Sequence, residues 1–139
     1  MSFSIPSSSF GARVERRLRD ELIVWLTTVS PAGAPVPSPV WFLWDGESFL
    51  VYSQPQTPKL RNIARNPRVS LNLNGDRRGD DIVIVSGAAR ESDDPPAHEV
   101  AAYLEKYGGP IAANGWTPES FAADYSVPLR IEPRRLRGF

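Results

Sequence analysis

The chain has 139 residues, of which 41% are hydrophobic and 23% charged, proportions that are typical of one globular domain and not of a disordered or membrane-embedded protein. Sixteen basic residues balance sixteen acidic ones, so no overall charge attracts the protein to nucleic acid or to an anionic membrane. Cysteine is absent from the sequence, which excludes disulfides, thiolate metal sites and cysteine nucleophiles.

The start of the chain lacks the apolar core of a signal peptide, and no uncharged apolar run is long enough to cross a bilayer. We therefore expect a cytoplasmic protein with one domain over residues 1–139 and with no nucleic-acid or membrane partner. His98 is the only histidine, so a multi-histidine metal site cannot form and no metal is predicted. We interpret His98 as a surface residue of a helix.

The first half of the chain predicts a short helix followed by a three-stranded antiparallel meander. Phe10, Val14 and Leu18 recur at four-residue spacing after a serine-rich cap, as in an amphipathic helix. Segments rich in β-branched and aromatic residues follow, and Asp45-Gly46 is a strong hairpin signal between the last two. The predicted strands are residues 22–29, 36–44 and 48–53.

The second half predicts three further helices and three further strands. Thr57 has the character of an N-cap with Pro58 as the first helical residue, and this helix must end before Asn66-Pro67. A later helix is indicated over residues 99–108, and another starts at Thr117-Pro118. The predicted strands are residues 68–74, residues 82–91 with Gly87 as a candidate bulge, and residues 128–139.

The chain has six predicted strands of this length, mostly antiparallel, and few helical residues. The backbone hydrogen bonds of such strands are best satisfied when the sheet closes on itself and has no exposed edge. The predicted fold class is therefore mainly β with short helices (α+β), in the form of a six-stranded antiparallel β-barrel.

The second predicted strand carries Pro35, Pro37 and Pro39 at a spacing of two. Three backbone donors that would point to the same side of the strand are therefore missing, and that side cannot be an ordinary sheet interior. One interpretation is a barrel edge covered by a loop; the other is a strand along which a flat ligand or a dimer partner lies.

Residues 53–61 (SQPQTPKLR) bring hydroxyls, a helix N-terminus and two cations together within nine residues. Such a combination suits a phosphate group. The alternative is that Lys59, Arg61 and Arg65 form the solvated face of a short helix.

The order of residues over 33–71 resembles the pyridoxamine 5'-phosphate oxidase-like split-barrel superfamily. The match pairs "PVWFLWDG" with "YSxxxTxKxRNIxxNPRVSL", and the closing "PLRIEPRRLRGF" is similar to the last strand of one branch, the actinobacterial deazaflavin-dependent oxidoreductases that use coenzyme F420. The chain is shorter than the true pyridoxamine phosphate oxidases and lacks their Arg-x-His type ending, which argues against vitamin chemistry.

The resemblance implies a split-barrel homodimer with cofactor clefts at the subunit interface. It places the cofactor phosphate at the matching positions Ser53, Thr57, Lys59 and Arg61, with Asn62 in the same motif. It places the tricyclic ring against the strand of Ser38, Pro39, Val40, Trp41 and Phe42. The turn cations Arg77 and Arg78, with Arg130 and Arg134, are candidates for contacts to the anionic cofactor tail from the partner subunit.

The activity that this resemblance implies is a hydride transfer from reduced deazaflavin to an unsaturated small-molecule acceptor. Such an enzyme needs no obligatory acid-base side chain, and no catalytic residue is assigned. The alternatives are the same fold holding FMN, and a non-catalytic carrier or sensor that binds the cofactor or a haem.

Overall fold

The computed structural model describes residues 3–139, which form a curled antiparallel sheet with helices packed against it. The helices are α1 (Ser9–Asp20), α2 (Pro58–Arg65), α3 (Ala101–Ala113) and α4 (Pro118–Asp124), with a 3₁₀ turn at Ala97–Glu99. The strands are β1 (Val24–Val29), β2 (Pro35–Val40), β3 (Leu43–Trp44), β4 (Phe49–Ser53), β5 (Arg68–Asn72), β6 (Val83–Glu91) and β7 (Val127–Gly138). None of the helices in this part of the chain has both the length and the apolar character to cross a bilayer.

The predicted strand over residues 36–44 is two strands, so the described residues contain seven strands and not the predicted six. The order in the sheet is β2-β1-β5-β6-β7-β4-β3, which puts β2 and β3 at opposite edges. Because only Trp41 and Phe42 lie between these two strands, the sheet must curl until its edges come together. This curled sheet fits the expected split barrel.

The break between β2 and β3 is made by a side chain from a distant helix. The N–H of Phe42 donates to the hydroxyl of Tyr107 in α3 at 2.8 Å, and the Phe42 carbonyl accepts from Lys106 Nζ at 2.9 Å. Backbone groups that would otherwise continue a β ladder are thus satisfied by α3. The sequence pattern of residues 36–44 contains no signal for this interruption.

Strand β4 is buried on both of its faces. Phe49 and Val51 point into the barrel core with residues of β1, β5, β6 and β7. Leu50 and Tyr52 belong to a second apolar cluster formed with α3 and α4. The helices therefore cover the outer face of β4, and the end of this strand lies between the two apolar layers.

Gly87 is at a β-bulge, as predicted, because the register between β6 and β7 shifts between Ser86 and Gly87. A Cβ atom at Gly87 would lie 2.3 Å from the Glu132 carbonyl oxygen, so the close approach of the two strands requires glycine.

Two predictions for the region before α4 are corrected. Helix α3 spans Ala101–Ala113 and not residues 99–108, because Tyr103, Tyr107 and Ile111 continue one buried stripe at four-residue spacing past the glycine pair. His98 is a half-buried residue of the 3₁₀ turn and not a surface residue of a helix, and its Nδ1 is buried without a hydrogen-bond partner among the described residues.

Candidate functional site

A cleft of about 230 Å³ opens where β4 passes into α2, between the end of β2 and the helices α3 and α4. Its lining has three parts, each supplied by a different stretch of the chain. The polar end consists of Ser53, Gln54, Thr57 and Lys59; the strand side of Pro39, Val40 and Trp41; and the aromatic side of Tyr52, Tyr103, Trp116, Phe121 and Tyr125.

The polar end of the cleft is the N-terminus of α2. Thr57 is the N-cap residue and Pro58 occupies the first turn, as predicted, but the Thr57 side chain makes no hydrogen bond to the helix. Its hydroxyl lies instead 3.2 Å from the Ser53 hydroxyl at the end of β4. Two hydroxyls from adjacent elements therefore stand together at this helix start.

Donors at this helix start are left available for a ligand. The amides of Leu60 and Arg61 both donate to the Thr57 carbonyl, whereas the N–H of Lys59 lies in the first turn and has no acceptor within the helix. The positive end of the helix dipole favours an anion at this position. Burial lowers the pKa of Lys59 below its ordinary value, because desolvation penalises the charged amine, and an anion in the cleft would offset that penalty.

The strand side of the cleft belongs to a sheet edge. Among the strands of residues 3–139, β2 pairs only with β1, and its residues Pro35, Pro37 and Pro39 lie opposite Val29, Thr27 and Trp25. Proline cannot donate, so the ladder bonds to β1 come from the alternate residues and the prolines occupy the open side, as their spacing predicted.

Trp41 joins this edge to the helical layer. Its ring is stacked on Tyr107 of α3, with ring centroids 4.7 Å apart and an interplanar angle of 9°. It is also stacked on Phe121 of α4, at 5.4 Å and 20°. These contacts fix the chain where it leaves β2, so the strand side and the aromatic side of the cleft form one packed unit.

The aromatic side is held by α4 and by the loop before it. Thr117 and Ser120 form a reciprocal capping box at the start of α4, and Trp116 Nε1 donates to Asp124 Oδ2 at 3.1 Å. Tyr52 donates its hydroxyl proton to the Pro95 carbonyl at 2.5 Å, and burial raises the pKa of Tyr52 to about 12. The wall is therefore mostly aromatic and held by these hydrogen bonds, and Tyr52 keeps its proton at neutral pH.

Of the fourteen residues predicted from sequence, six line the cleft and eight lie elsewhere. Those in the lining are Pro39, Val40, Trp41, Ser53, Thr57 and Lys59. Those outside it are Ser38, Phe42, Arg61, Asn62, Arg77, Arg78, Arg130 and Arg134.

The residues outside the lining have identifiable surroundings in the chain. Phe42 is 0% exposed within the barrel core, and Asn62 is buried with its amide donating to Thr28 Oγ1 at 3.1 Å. Arg61 is exposed and donates to the Gln56 carbonyl at 2.9 Å. Arg77 and Arg78 are exposed between β5 and β6. Ser38 is half-buried in β2 opposite Leu26.

Sequence reasoning missed the aromatic side of the cleft. Tyr103 falls in one predicted helix, Phe121 and Tyr125 follow the predicted start of the next at Thr117-Pro118, and Trp116 comes directly before that start; their concentration was an available signal. The sequence could not indicate that these helices pack on the outer face of β4 beside Trp41, because that contact joins parts of the chain about fifty or more residues apart.

Comparison with solved structures places this cleft in a known fold. An F420 reductase is 28% identical, over 88% of this chain and 94% of that chain, with a TM-score of 0.70. A conserved hypothetical protein, Rv2991 from Mycobacterium tuberculosis, is 26% identical, over 99% and 88%, with a TM-score of 0.71. HutZ, a heme storage protein from Vibrio cholerae, is 16% identical, over 91% and 92%, with a TM-score of 0.65, and at that identity it shows the fold alone.

A search of curated proteins finds no significant sequence match. A family model does match: the one described as pyridoxamine 5'-phosphate oxidase covers residues 10–138, which is nearly the whole chain. The resemblance seen in the sequence is thus confirmed by a family match and by structural neighbours that include an F420 reductase. This chain belongs to the pyridoxamine 5'-phosphate oxidase family.

Proposed function

We propose that this protein is an F420-dependent reductase that transfers a hydride from reduced deazaflavin to an unsaturated small-molecule acceptor. One observation carries the proposal: the cleft joins the N-terminus of α2, with Ser53, Thr57 and Lys59, to an apolar surface at Pro39 and Trp41. A phosphate ester attached to a planar ring system has this same division into a charged end and a flat end. The similarity to an F420 reductase supports the choice of deazaflavin.

The residues at the polar end fit a phosphate. The Thr57 hydroxyl is not used as a helix cap, the Lys59 N–H lacks an intrahelical acceptor, and the Lys59 side chain is half-buried in the lining of the same cleft. Bound deazaflavin would supply the hydride, and the protein would orient the two reactants and exclude water from them. This division of labour suits a cleft whose lining, among the described residues, has no histidine or carboxylate.

We further propose that the functional unit is a homodimer. The cleft of one chain measures about 230 Å³, below the range of roughly 300 to 1,000 Å³ that is usual for sites holding a drug-sized ligand. The open edge of β2 lies beside it, with Pro35, Val36 and Pro37 exposed. A second copy packed on this edge would enlarge and close the cleft, and its exposed Arg77 and Arg78 are candidates for contact with an anionic cofactor tail.

Titration of the purified protein with oxidised F420 and, separately, with FMN tests the cofactor. We expect quenching of deazaflavin fluorescence with a saturable Kd and weaker or absent FMN binding. Tight FMN binding with no deazaflavin binding would replace the proposal with the FMN alternative, and a Soret band after haem addition with neither cofactor bound would indicate a haem carrier.

Substitution at the phosphate end tests the placement. Lys59→Ala should weaken deazaflavin binding by about 1.5 to 3 kcal/mol, or about 10- to 150-fold, the usual range for a hydrogen bond to a charged group. Arg65→Ala is the matched control, because Arg65 is an exposed cation in the last turn of the same helix. An equal loss of affinity in both variants would mean that the overall positive charge of α2, and not the site at its N-terminus, attracts the cofactor.

Catalysis is tested separately from binding. Reduced F420 is mixed with the protein and with quinone or enone acceptors, and the return of the oxidised cofactor is followed. A rate that depends on acceptor and enzyme is expected; binding of reduced F420 without any acceptor-dependent rate would identify a carrier.

A further inference from the structure

The middle of helix α3 contains a glycine pair followed by a proline. Gly108 and Gly109 lie within the helix, and a Cβ atom built at either would meet no atom of the surrounding structure within 4 Å. Packing therefore does not require glycine at these positions, although each glycine weakens a helix relative to alanine. Pro110 has no N–H, so the Lys106 carbonyl loses its helical hydrogen bond. Helix α3 is therefore weakest at residues 108–110.

The chain after this weak point is a unit with its own hydrogen bonds. Within residues 3–139, every hydrogen bond of residues 114–125 has its partner in residues 110–125. The N–H and the side-chain amide of Asn114 both donate to the Pro110 carbonyl, at 3.1 and 2.8 Å. The turn after α3 and helix α4 can therefore move together without breaking a hydrogen bond to the barrel.

This unit is held against the rest of the molecule by apolar contacts. The Phe121 ring is stacked on Trp41 at 5.4 Å, and its centroid lies 6.0 Å from that of Tyr103. Such contacts stabilise the closed arrangement but are not directional, so they can separate and form again. Phe121, Trp116 and Tyr125 also line the cleft. The unit is therefore one wall of the cleft.

We propose that residues 111–126 form a lid that opens about Gly108-Gly109-Pro110 and admits a ligand to the cleft. Opening would separate Phe121 from Trp41, while the polar end of the cleft at α2 stays with the barrel. The far end of the lid is fixed at Val127, where β7 begins opposite Ser53, so the motion is a rotation between two attachments. The inference goes beyond the proposed function and depends on it only for the choice of ligand probe.

Thiol labelling measures the opening, because the chain contains no cysteine. Ala122 is buried on the lid and 7% exposed, and Ala89 is buried in the barrel core and 2% exposed. With DTNB as the reagent and no denaturant, we expect the thiol of Ala122→Cys to react at least about tenfold faster than that of Ala89→Cys, which only global unfolding exposes. Equal rates would overturn the proposal, because the lid would then open only when the whole molecule unfolds.

The hinge is tested by combining Gly108→Ala and Gly109→Ala with Ala122→Cys. Both added Cβ atoms fit, and alanine favours the helical conformation of the closed state, so labelling should slow about tenfold. Ala102→Gly is the matched control, because it is an exposed position in the first turn of the same helix, and it should leave the labelling rate unchanged.

Two results would overturn the hinge. An unchanged rate in the variant of the glycine pair would mean that DTNB reaches residue 122 without motion of the lid. An equal change of rate in Ala102→Gly would mean that overall helix stability, and not bending at residues 108–110, controls the labelling.

Ligand kinetics test the lid without an introduced thiol. In stopped-flow fluorescence quenching of oxidised F420, the variant of the glycine pair should show association and dissociation rate constants that both fall about tenfold, since the ligand passes the open lid in both directions. Its Kd should stay within a factor of about two. A changed Kd with an unaltered association rate would overturn the gating role. If the wild-type protein does not bind F420, the proposed function fails, and the labelling comparison still decides whether the lid opens.

Discussion

The hydroxyl of Tyr107 accepts the backbone N–H of Phe42 at 2.8 Å, which ties α3 to the two-residue link between opposite edges of the sheet. The same hydroxyl lies 2.7 Å from the Leu22 carbonyl oxygen and 2.9 Å from that of Phe42. Helix α3 thereby holds both the entry to β1 and the exit from β2. The strand side of the cleft keeps its position because of this contact.

Tyr107→Phe should reduce the free energy of unfolding by about 2 kcal/mol, since it leaves a buried N–H of Phe42 unsatisfied. Urea denaturation at neutral pH measures the change. Tyr103→Phe is the comparison, because it removes the same atom from an equally buried ring whose hydroxyl makes no hydrogen bond within residues 3–139. A loss below about 0.5 kcal/mol at Tyr107 would mean that water replaces the lost contact.

Cofactor affinity should fall as pH rises, and it should fall at a lower pH than for an exposed lysine. Burial lowers the pKa of Lys59 in the empty cleft, and the cationic form is the one that binds phosphate, so affinity is full below that pKa and is lost above it. Deazaflavin titrations between about pH 7 and 10 measure the profile. Lys59→Arg keeps its charge across this range and should flatten the profile; equal profiles would exclude Lys59 as the titrating group.

Asn62 and Thr28 should show coupled stabilities. The Asn62 amide donates to Thr28 Oγ1 at 3.1 Å, and both side chains are buried, so α2 is fixed to β1 by this bond. Asn62→Ala and Thr28→Val should each cost about 1 to 3 kcal/mol, and the double variant less than their sum by about 1 kcal/mol. Urea denaturation of the wild type, the two single variants and the double variant gives the double-mutant cycle. Strict additivity of the free-energy losses would show that the two side chains act independently.

Asp94→Asn should destabilise the protein by about 2 kcal/mol at neutral pH, because Asp94 accepts two hydrogen bonds from Arg130, at 2.8 and 2.9 Å. These bonds lower the pKa of Asp94, so its contribution is present above the unfolded-state pKa and is lost as pH falls through the lowered one. The variant should therefore converge with the wild type in acid. Asp93→Asn, the exposed neighbour, should change little at either pH; an equal loss there would contradict the assignment to Arg130.

Local signals in the sequence were sufficient for most elements. The prolines at 35, 37 and 39 indicated the open edge, Thr57-Pro58 the start of α2, and Gly87 the bulge, and each prediction depended on residues that act on their own backbone. The continuous strand over residues 36–44 was wrong because its interruption depends on Tyr107. No local pattern encodes a hydrogen bond to a residue 65 positions away.

The same distinction separates the two halves of the cleft. Ser53, Thr57 and Lys59 lie within seven residues of one another, so one segment revealed the polar end. The aromatic side comes from α3 and α4, whose position depends on packing over β4. Phe42 and Asn62 follow the matched motif in sequence, but burial assigns one to the core and the other to a bond between elements.

The pairing of Ser53 with Val127 also affects the order in which the molecule can fold. Strand β4 acquires its second neighbour only when β7 docks, across more than seventy residues of chain, and α3 and α4 lie within that loop. Contacts of such long sequence separation form slowly, so we expect the two ends of the cleft to come together late in folding. A ligand that spans them would bind only the completed barrel and would shift the folding equilibrium toward it by mass action.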